Sequence, residues 1–523
     1  MNNKSSPRIQ HLVFWPPFLL MLGAVLLNLI QPQQFQAILT VSNKWVLDHF
    51  GWLFVTCALG SLLVCALVSV MPIGSVKIGG HNAIPLMSRW NWFAITICTT
   101  IAVGILFWST TEPINHFHLP PQSLEIQPKS ENAFVFSIST LFLHWTFVPY
   151  AIYCAASLTF ALAHYNLRQS FSIGSTLVPV FGTTAVARIG PIIDGICLYS
   201  LVAGMAASLG TGILSISGGI NELFGLQRSP TVWFFIAGSI VTTFIASSAS
   251  GLMKGIRILS DINVKGLFLL LAVVFVLGPT LLILKTLPVA VVDFLTRLPQ
   301  LAIKEAYFPM DNWAKDWSIF YWAVWIAWTP VTACFLGRIA YGRTVREFIV
   351  FNLILPAIFC MFWMTVFGTT ALNFETHGAA LYEQSLTQGA EAISISVLSG
   401  LPMGVILVAY FLLSAFICFV TSADSNTSAM ASLSSPTGSG PNAEGSTLVK
   451  VVWGILVGAT AWTMITFADV EGIRMLSNLG GLPAAFLLML VLCSLVKLTF
   501  SGTRLLNGNG ADSTVEEINS EAN

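Results

Sequence analysis

Residues 317–336 read WSIFYWAVWIAWTPVTACFL, and from Ile319 to Leu336 no side chain carries a charge. A helix of about 20 mostly apolar residues crosses a hydrocarbon core about 30 Å thick, so this run reads as a membrane span. Six of its rings, Trp317, Phe320, Tyr321, Trp322, Trp325 and Trp328, precede Pro330. Trp322, Trp325 and Trp328 repeat at intervals of three along the helix. Tryptophans at the ends of a span form interfacial belts, but a belt explains poorly the rings a turn or more inside.

The rest of the chain has the same character. Over 523 residues the hydrophobic fraction is 55%, the charged fraction 9% and the mean hydropathy +0.80, against about 25% charge in soluble domains. About twelve apolar runs fit between His11 and Phe500. In the first half they cover Leu12 to Ile30, Gly51 to Met71, Phe93 to Thr110, Ala133 to Ala163, Ile192 to Leu214 and Val232 to Ala249. The second half supplies Leu267 to Leu287, Ile319 to Leu336, Phe348 to Ala371, Met403 to Ser422, Val451 to Phe467 and Leu482 to Leu498. The expected organisation is a cytoplasmic N-terminus (1–11), an all-α membrane domain (12–500) and a polar, acidic, disordered tail (501–523). The first run follows a basic stretch, as a signal peptide would, but no small-residue cleavage site follows, so it is kept as a helix.

Lys and Arg are retained on the cytoplasmic side of a membrane. Placing the N-terminus inside puts fifteen of the 23 basic residues inside and eight outside, which favours two cytoplasmic termini. The zero net charge hides this asymmetry and does not point to nucleic acid. The nine cysteines fall mostly inside spans without paired loop spacing, and read as small packing residues. Residues 289–308, VAVVDFLTRLPQLAIKEAYF, mix an apolar face with Asp293, Arg297, Lys304 and Glu305, as an interfacial helix on the outer surface does. There is no GxxxxGK[ST] loop for an ATP-driven pump. No nucleophile, acid and metal set gathers at one membrane face, so the chain does not read as an enzyme.

Three further segments hold candidate binding groups. ILFWSTTEPINHF (105–117) ends the third run at Glu112 and Pro113; it fits helix packing with a proline stop, and equally a close backbone approach at Thr99, Thr100, Ala102 and Gly104. LFLHWTFVPYAIY (141–153) sets Trp145, Pro149 and Tyr153 at intervals of four on one helix face, with Tyr150 beside them and His144 before, in core or in a ligand cage. FVTSADSNTSAMASLSS (419–435) offers the hydroxyls of Thr421, Ser422, Ser425, Thr427 and Ser428 and the Asp424 carboxylate. Such oxygens suit a hard cation, or bond back to helix carbonyls. Asp194, Glu112 and Asp424 lie near membrane depth, where an unpaired charge costs at least roughly 2.5 kcal/mol, so each needs a partner or a water-lined position. Arg188 and Arg257 are candidates for Asp194 and Asp261. A quaternary ammonium has no N–H to donate, and the negative faces of aromatic rings are what hold it, each contact giving roughly 0.5 to 2 kcal/mol.

Taken together, ILFWSTTEP, HWTFVPYAIY, ASLGTGILSISGGINELFG, SGLMKGIRILSDIN with GPT after it, FYWAVWIAWTP with RIAYGRTVREFI, and TSADS closely resemble the betaine/carnitine/choline transporter family, in family order from about Trp92 to Ser435. The resemblance implies a leucine-transporter-like architecture, with two inverted five-helix repeats in spans three to seven and eight to twelve, preceded by two extra helices. It implies a homotrimer in a bacterial inner membrane, with a site near the midplane around a broken helix. Carried over position by position, the aromatic cage is Trp145, Tyr150, Tyr153, Trp322, Trp325 and Trp328. The shared sodium site takes the Thr421 and Ser422 hydroxyls with third-span carbonyls near Cys98 and Ile101; sodium, as coupling ion, is the one bound ion implied.

This sequence departs from the family's pattern in several places. The glycine-rich unwound stretch of the third span reads TTIAVG and keeps only Gly104. Val324 stands where relatives often have another Trp, which makes the cage smaller. YSLVAGMAASLG in the fifth span is poor in the hydroxyls a second sodium site would use. No Arg follows within DINV, where sodium-independent carnitine exchangers carry one, and a long basic osmosensing tail is missing. The expected function is ion-coupled uptake of an osmoprotectant-like quaternary ammonium solute such as glycine betaine, choline or carnitine. Proton coupling and ion-free exchange stay open, as do a carrier for another zwitterion such as an amino acid and a non-transporting sensor.

Overall fold

The structure, a computed structural model, describes residues 9–101, 104–249, 252–304, 311–435 and 445–501. The expected disordered tail therefore lies almost wholly outside the described residues, as does the end of the 289–308 segment. The described chain is helical throughout; its sole extended pairing is an isolated antiparallel bridge between Lys77 and Thr344. In chain order the helices are α1 (His11–Ile30), α2 (Pro32–Val70), α3 (Arg89–Ile101), α4 (Gly104–His118), α5 (Glu131–Trp145), α6 (Phe147–Ala161), α7 (Val178–Phe224), α8 (Pro230–Ala249) and α9 (Leu252–Leu277). They continue with α10 (Thr280–Pro299), α11 (Phe320–Ile339), α12 (Val345–Ile349), α13 (Leu355–Phe374), α14 (Leu381–Gln388), α15 (Ala392–Ser399), α16 (Gly404–Ser434) and α17 (Thr447–Phe500).

Ten of these stretches are long and apolar enough to cross a membrane, and α3 with α4, whose axes meet at 56°, make an eleventh. The 54-residue α17 is two helices joined at Asp469, whose φ of 51° and ψ of −149° interrupt it, so the twelve expected spans are all present. Spans three to seven and eight to twelve form two halves of five. An odd number of crossings per half would start the second half on the opposite face from the first. Large apolar side chains such as Leu63, Phe235, Leu281 and Val405 remain exposed, as lipid-facing groups do.

The boundaries differ from expectation where proline or glycine intervenes. The seventh span does not run from Leu267 to Leu287: α9 stops at Leu277 and α10 starts at Thr280. Pro279 brings no N–H and forces the preceding residue out of helical geometry. A side chain at Gly278 would lie 2.6 Å from the Val274 carbonyl oxygen. The interfacial helix accordingly begins nine residues before Val289. It buries Ile283, Thr286, Ala290 and Phe294, and Asp293 is held by Arg297 at 2.7 Å and by the Ser139 hydroxyl at 2.6 Å. Asp194 is not paired with Arg188; its Oδ1 accepts the backbone N–H groups of Ile173 and Gly174 at 2.8 and 3.3 Å. Asp261 pairs with Lys265 at 2.7 Å and accepts the Trp90 indole N–H, and the Arg257 side chain lies outside the described residues. All nine cysteines are free and eight are buried, as packing residues are.

Candidate substrate site

The fourth span breaks where its sequence demands it. Pro149 cannot donate to the carbonyl four residues earlier, that of Trp145, and its ring crowds that oxygen. Thr146 accordingly leaves helical geometry, at φ −117° and ψ −117°, and separates α5 from α6. Trp145 is thus the last residue of one helix, while Tyr150 and Tyr153 belong to the next. All three rings meet Trp325 of α11, with centroid distances of 5.8 Å from Trp145, 5.4 Å from Tyr150 and 5.0 Å from Tyr153.

A narrow cavity opens on one side of this cluster, with about 50 Å³ for the centres of water-sized molecules. On α11 the lining positions are Phe320, Tyr321, Val324, Trp325 and Trp328, the i, i+3, i+4, i+7 face of a helix. Trp145 and Tyr153 close a second side, Trp108 and Gly104 of α4 a third, and Ala207, Ser208 and Thr211 of α7 a fourth. Four of the six expected cage residues, Trp145, Tyr153, Trp325 and Trp328, therefore line one chamber. Tyr150 stands behind Trp325 with its hydroxyl 3.3 Å from Cys360 Sγ. Trp322 is the exception. It is fully buried on another side of α11, away from the chamber, and its indole N–H has no partner among the described residues. Spacing by three misled here because each step of three turns 60° round the helix, and Trp322 is the ring turned out of the face.

Two glycines give the rings their places. A methyl at Gly104 would sit 3.0 Å from the Trp145 ring, and one at Gly204 of α7 would sit 2.8 Å from Trp328 Cδ1. Gly204 was not singled out in the sequence, although YSLVAGMAASLG is a run of small residues suited to close helix approach. Tyr321 and Trp108 were likewise not assigned to the cage. Tyr321 meets Trp145 and Trp108 edge to face, at centroid distances of 5.1 and 5.6 Å, and its place one turn before Trp325 is the signal that would have found it.

Glu112 supplies the partner that membrane burial requires. Its Oε2 accepts the Trp145 indole N–H at 2.8 Å. Its Oε1 lies 2.6 Å from His144 Nδ1 and 3.1 Å from His116 Nε2, and all three polar side chains are fully buried. An ionised carboxylate only accepts, so His144 Nδ1 and His116 Nε2 both donate to it, and the Ser318 hydroxyl lies 2.8 Å from His144 Nε2. The carboxylate thereby fixes the orientation of one cage ring.

The candidate ion-binding groups cluster where α16 crosses α3. Ser422 Oγ donates to the Thr99 carbonyl at 3.3 Å, and Thr99 Oγ1 lies 3.4 Å from Ser425 Oγ. Thr421 Oγ1 bonds back to the carbonyls of Ile417 and Cys418, each at 3.0 Å. The third-span carbonyl that meets the hydroxyls is Thr99, between the two expected positions. The Cys98 thiol donates to the Ser260 carbonyl at 3.4 Å. Asp424 accepts the Ser247 hydroxyl at 2.8 Å.

The model of the betaine/carnitine/choline family transporters matches residues 12–503 of this chain. The chain belongs to that family. It is therefore a membrane transporter and not an enzyme. Among curated relatives, the glycine betaine transporter OpuD of Bacillus subtilis is 29% identical, covering 92% of this chain and 93% of that protein. The ectoine/hydroxyectoine transporter of Virgibacillus pantothenticus is 28% identical over 96% of this chain and 98% of that one. A glycine betaine/proline/choline transporter of Vibrio parahaemolyticus is 27% identical over 89% and 85%. In this chain two N-terminal helices precede the remaining spans, and rings of the fourth and eighth spans converge.

Proposed function

We propose that this transporter carries a small quaternary ammonium solute, with glycine betaine, choline and carnitine as the candidates, by sodium-coupled symport across a bacterial inner membrane. The observation that carries the reading is the chamber walled by Trp145, Tyr153, Trp325 and Trp328. Trimethylammonium offers no hydrogen bond, so ring faces are its natural partners, and exclusion of water strengthens each contact. Named relatives act on betaine and choline, which supports the same class here. Sodium fits the Thr421, Ser422 and Thr99 oxygens at the α3–α16 crossing; bound there, it draws the two spans together and favours the state that closes over solute. The reading includes a homotrimer with both termini cytoplasmic, which puts the Trp317 end of the chamber outside.

Counterflow of labelled betaine, choline and carnitine in proteoliposomes, with and without a sodium gradient, is the test. Exchange of at least one trimethylated solute, enhanced by sodium, is expected. Preference for primary amines over all three would overturn the substrate class, and indifference to sodium would overturn the coupling ion.

A further inference from the structure

Arg474 lies in α17, five residues past the break at Asp469, between two residues that line the chamber, Ile473 and Ser477. Its guanidinium carbon stands 4.8 Å from the Trp317 ring, 5.2 Å from Phe320 and 5.8 Å from Trp108. Phe320 and Trp108 are themselves chamber walls. A full positive charge therefore rests on the same aromatic lining that continues, through Tyr321, to Trp325. Among the described residues no carboxylate comes within ion-pair distance of it, and its Nε–H is buried without an acceptor. Asp316 is near enough to feel the charge, but makes no ion pair with it.

Resting on the function proposed above, we infer that Arg474 is a specificity-determining residue of this chamber. It takes the carboxylate of a zwitterionic quaternary ammonium solute and disfavours solutes that carry the cation alone. The guanidinium offers planar paired donors that match a carboxylate in a way a hydroxyl cannot. Trp317 and Trp325 are about 12 Å apart along the helix axis. With the ammonium at Trp325, the carboxylate of the solute points toward the arginine end, and the flexible stem closes the remaining distance. A solute such as choline brings a second positive charge into a water-poor space and leaves the buried N–H unpaired. The rival donor to the carboxylate is the N-terminus of α4 at Gly104, since the free N–H groups of a helix N-terminus bind anions.

The test is transport in proteoliposomes by the full-length protein, with unlabelled glycine betaine, betaine methyl ester and choline competing against labelled glycine betaine. The native protein should prefer betaine over both uncharged-tail competitors by 10-fold or more. In R474Q the KM for betaine should rise at least 10-fold while choline transport holds or improves, so that the preference collapses. R474K, which keeps the charge without the fork, should fall between them, and it decides the matter should R474Q not reach the membrane. An unchanged preference in these variants assigns the carboxylate to the α4 N-terminus and overturns the inference. An equal loss for betaine and choline makes Arg474 structural and overturns it too. Transport of none of these solutes by the native protein removes the proposed function, and this inference with it, whereas transport of choline as good as that of betaine removes the inference alone.

Discussion

The ring chamber and the hydroxyl crossing are both buried inside the bundle, yet they hold their shape by opposite means. In the chamber, flat rings from α6, α11 and the end of α5 cannot interdigitate completely, and the Trp145 indole is tied to Glu112, so an opening persists around Trp325. At the α3–α16 crossing, Thr421, Ser425 and Thr427 each bond to a carbonyl of their own helix, and only Ser422 and Thr99 reach across. A hydroxyl on a helix is satisfied by its neighbour until something better arrives, whereas a ring has no such local partner. Rigidity belongs to the ring chamber and adaptability to the hydroxyl crossing.

The largest effect that would break this contrast is expected at Trp325. Trp325→Ala removes the ring on which three others converge. At roughly 2 kcal/mol for a desolvated cation–ring contact, together with looser packing, solute affinity should fall about 30- to 100-fold in proteoliposome uptake. Unchanged uptake would mean that the chamber does not hold the cation. Next is Thr421→Ala with Ser422→Ala: the sodium concentration for half-maximal uptake should rise about 10-fold, while uptake at saturating sodium changes little. Glu112→Gln sharpens the claim that the cage is preorganised. Losing a charged acceptor shared by two histidines and an indole should cost about 1–3 kcal/mol in thermal unfolding, and should raise the solute KM several-fold. Gly204→Ala pushes a methyl against Trp328, so a few-fold increase in KM is expected, with about 1–3 kcal/mol of overpacking. Trp322→Phe should be the smallest of all, within 2-fold of native uptake, because that ring faces away from the chamber.

The spans were legible because an apolar run of sufficient length leaves a chain few alternatives in lipid. Breaks were legible only where a residue forbids continuation, as Pro279 does after α9 and Pro149 does at Thr146, and reading those prolines literally would have corrected both boundaries. The kink at Asp469 carries no such mark, since a non-glycine residue at φ 51° is set by its surroundings. In the site, Trp145, Tyr153, Trp325 and Trp328 could be picked out by residue type and family position. Trp322 was misplaced because type says nothing of direction. Arg474, Trp108 and Gly204 were invisible because their meaning lies in a neighbour from a distant part of the chain. The hydroxyls of 419–435 were legible as a set, but the contact of Ser422 with Thr99 depends on how two helices cross, and no local pattern encodes that.

The break at Thr146 leaves Trp145 and Tyr153, neighbours on one side of the chamber, on two different helical segments. Trp145 is leashed by Glu112 to α4, whereas Tyr153 travels with α6. A shift of α4 against α6 would therefore be felt first at Trp145, through its tie to Glu112, and the spacing of the two rings would register it.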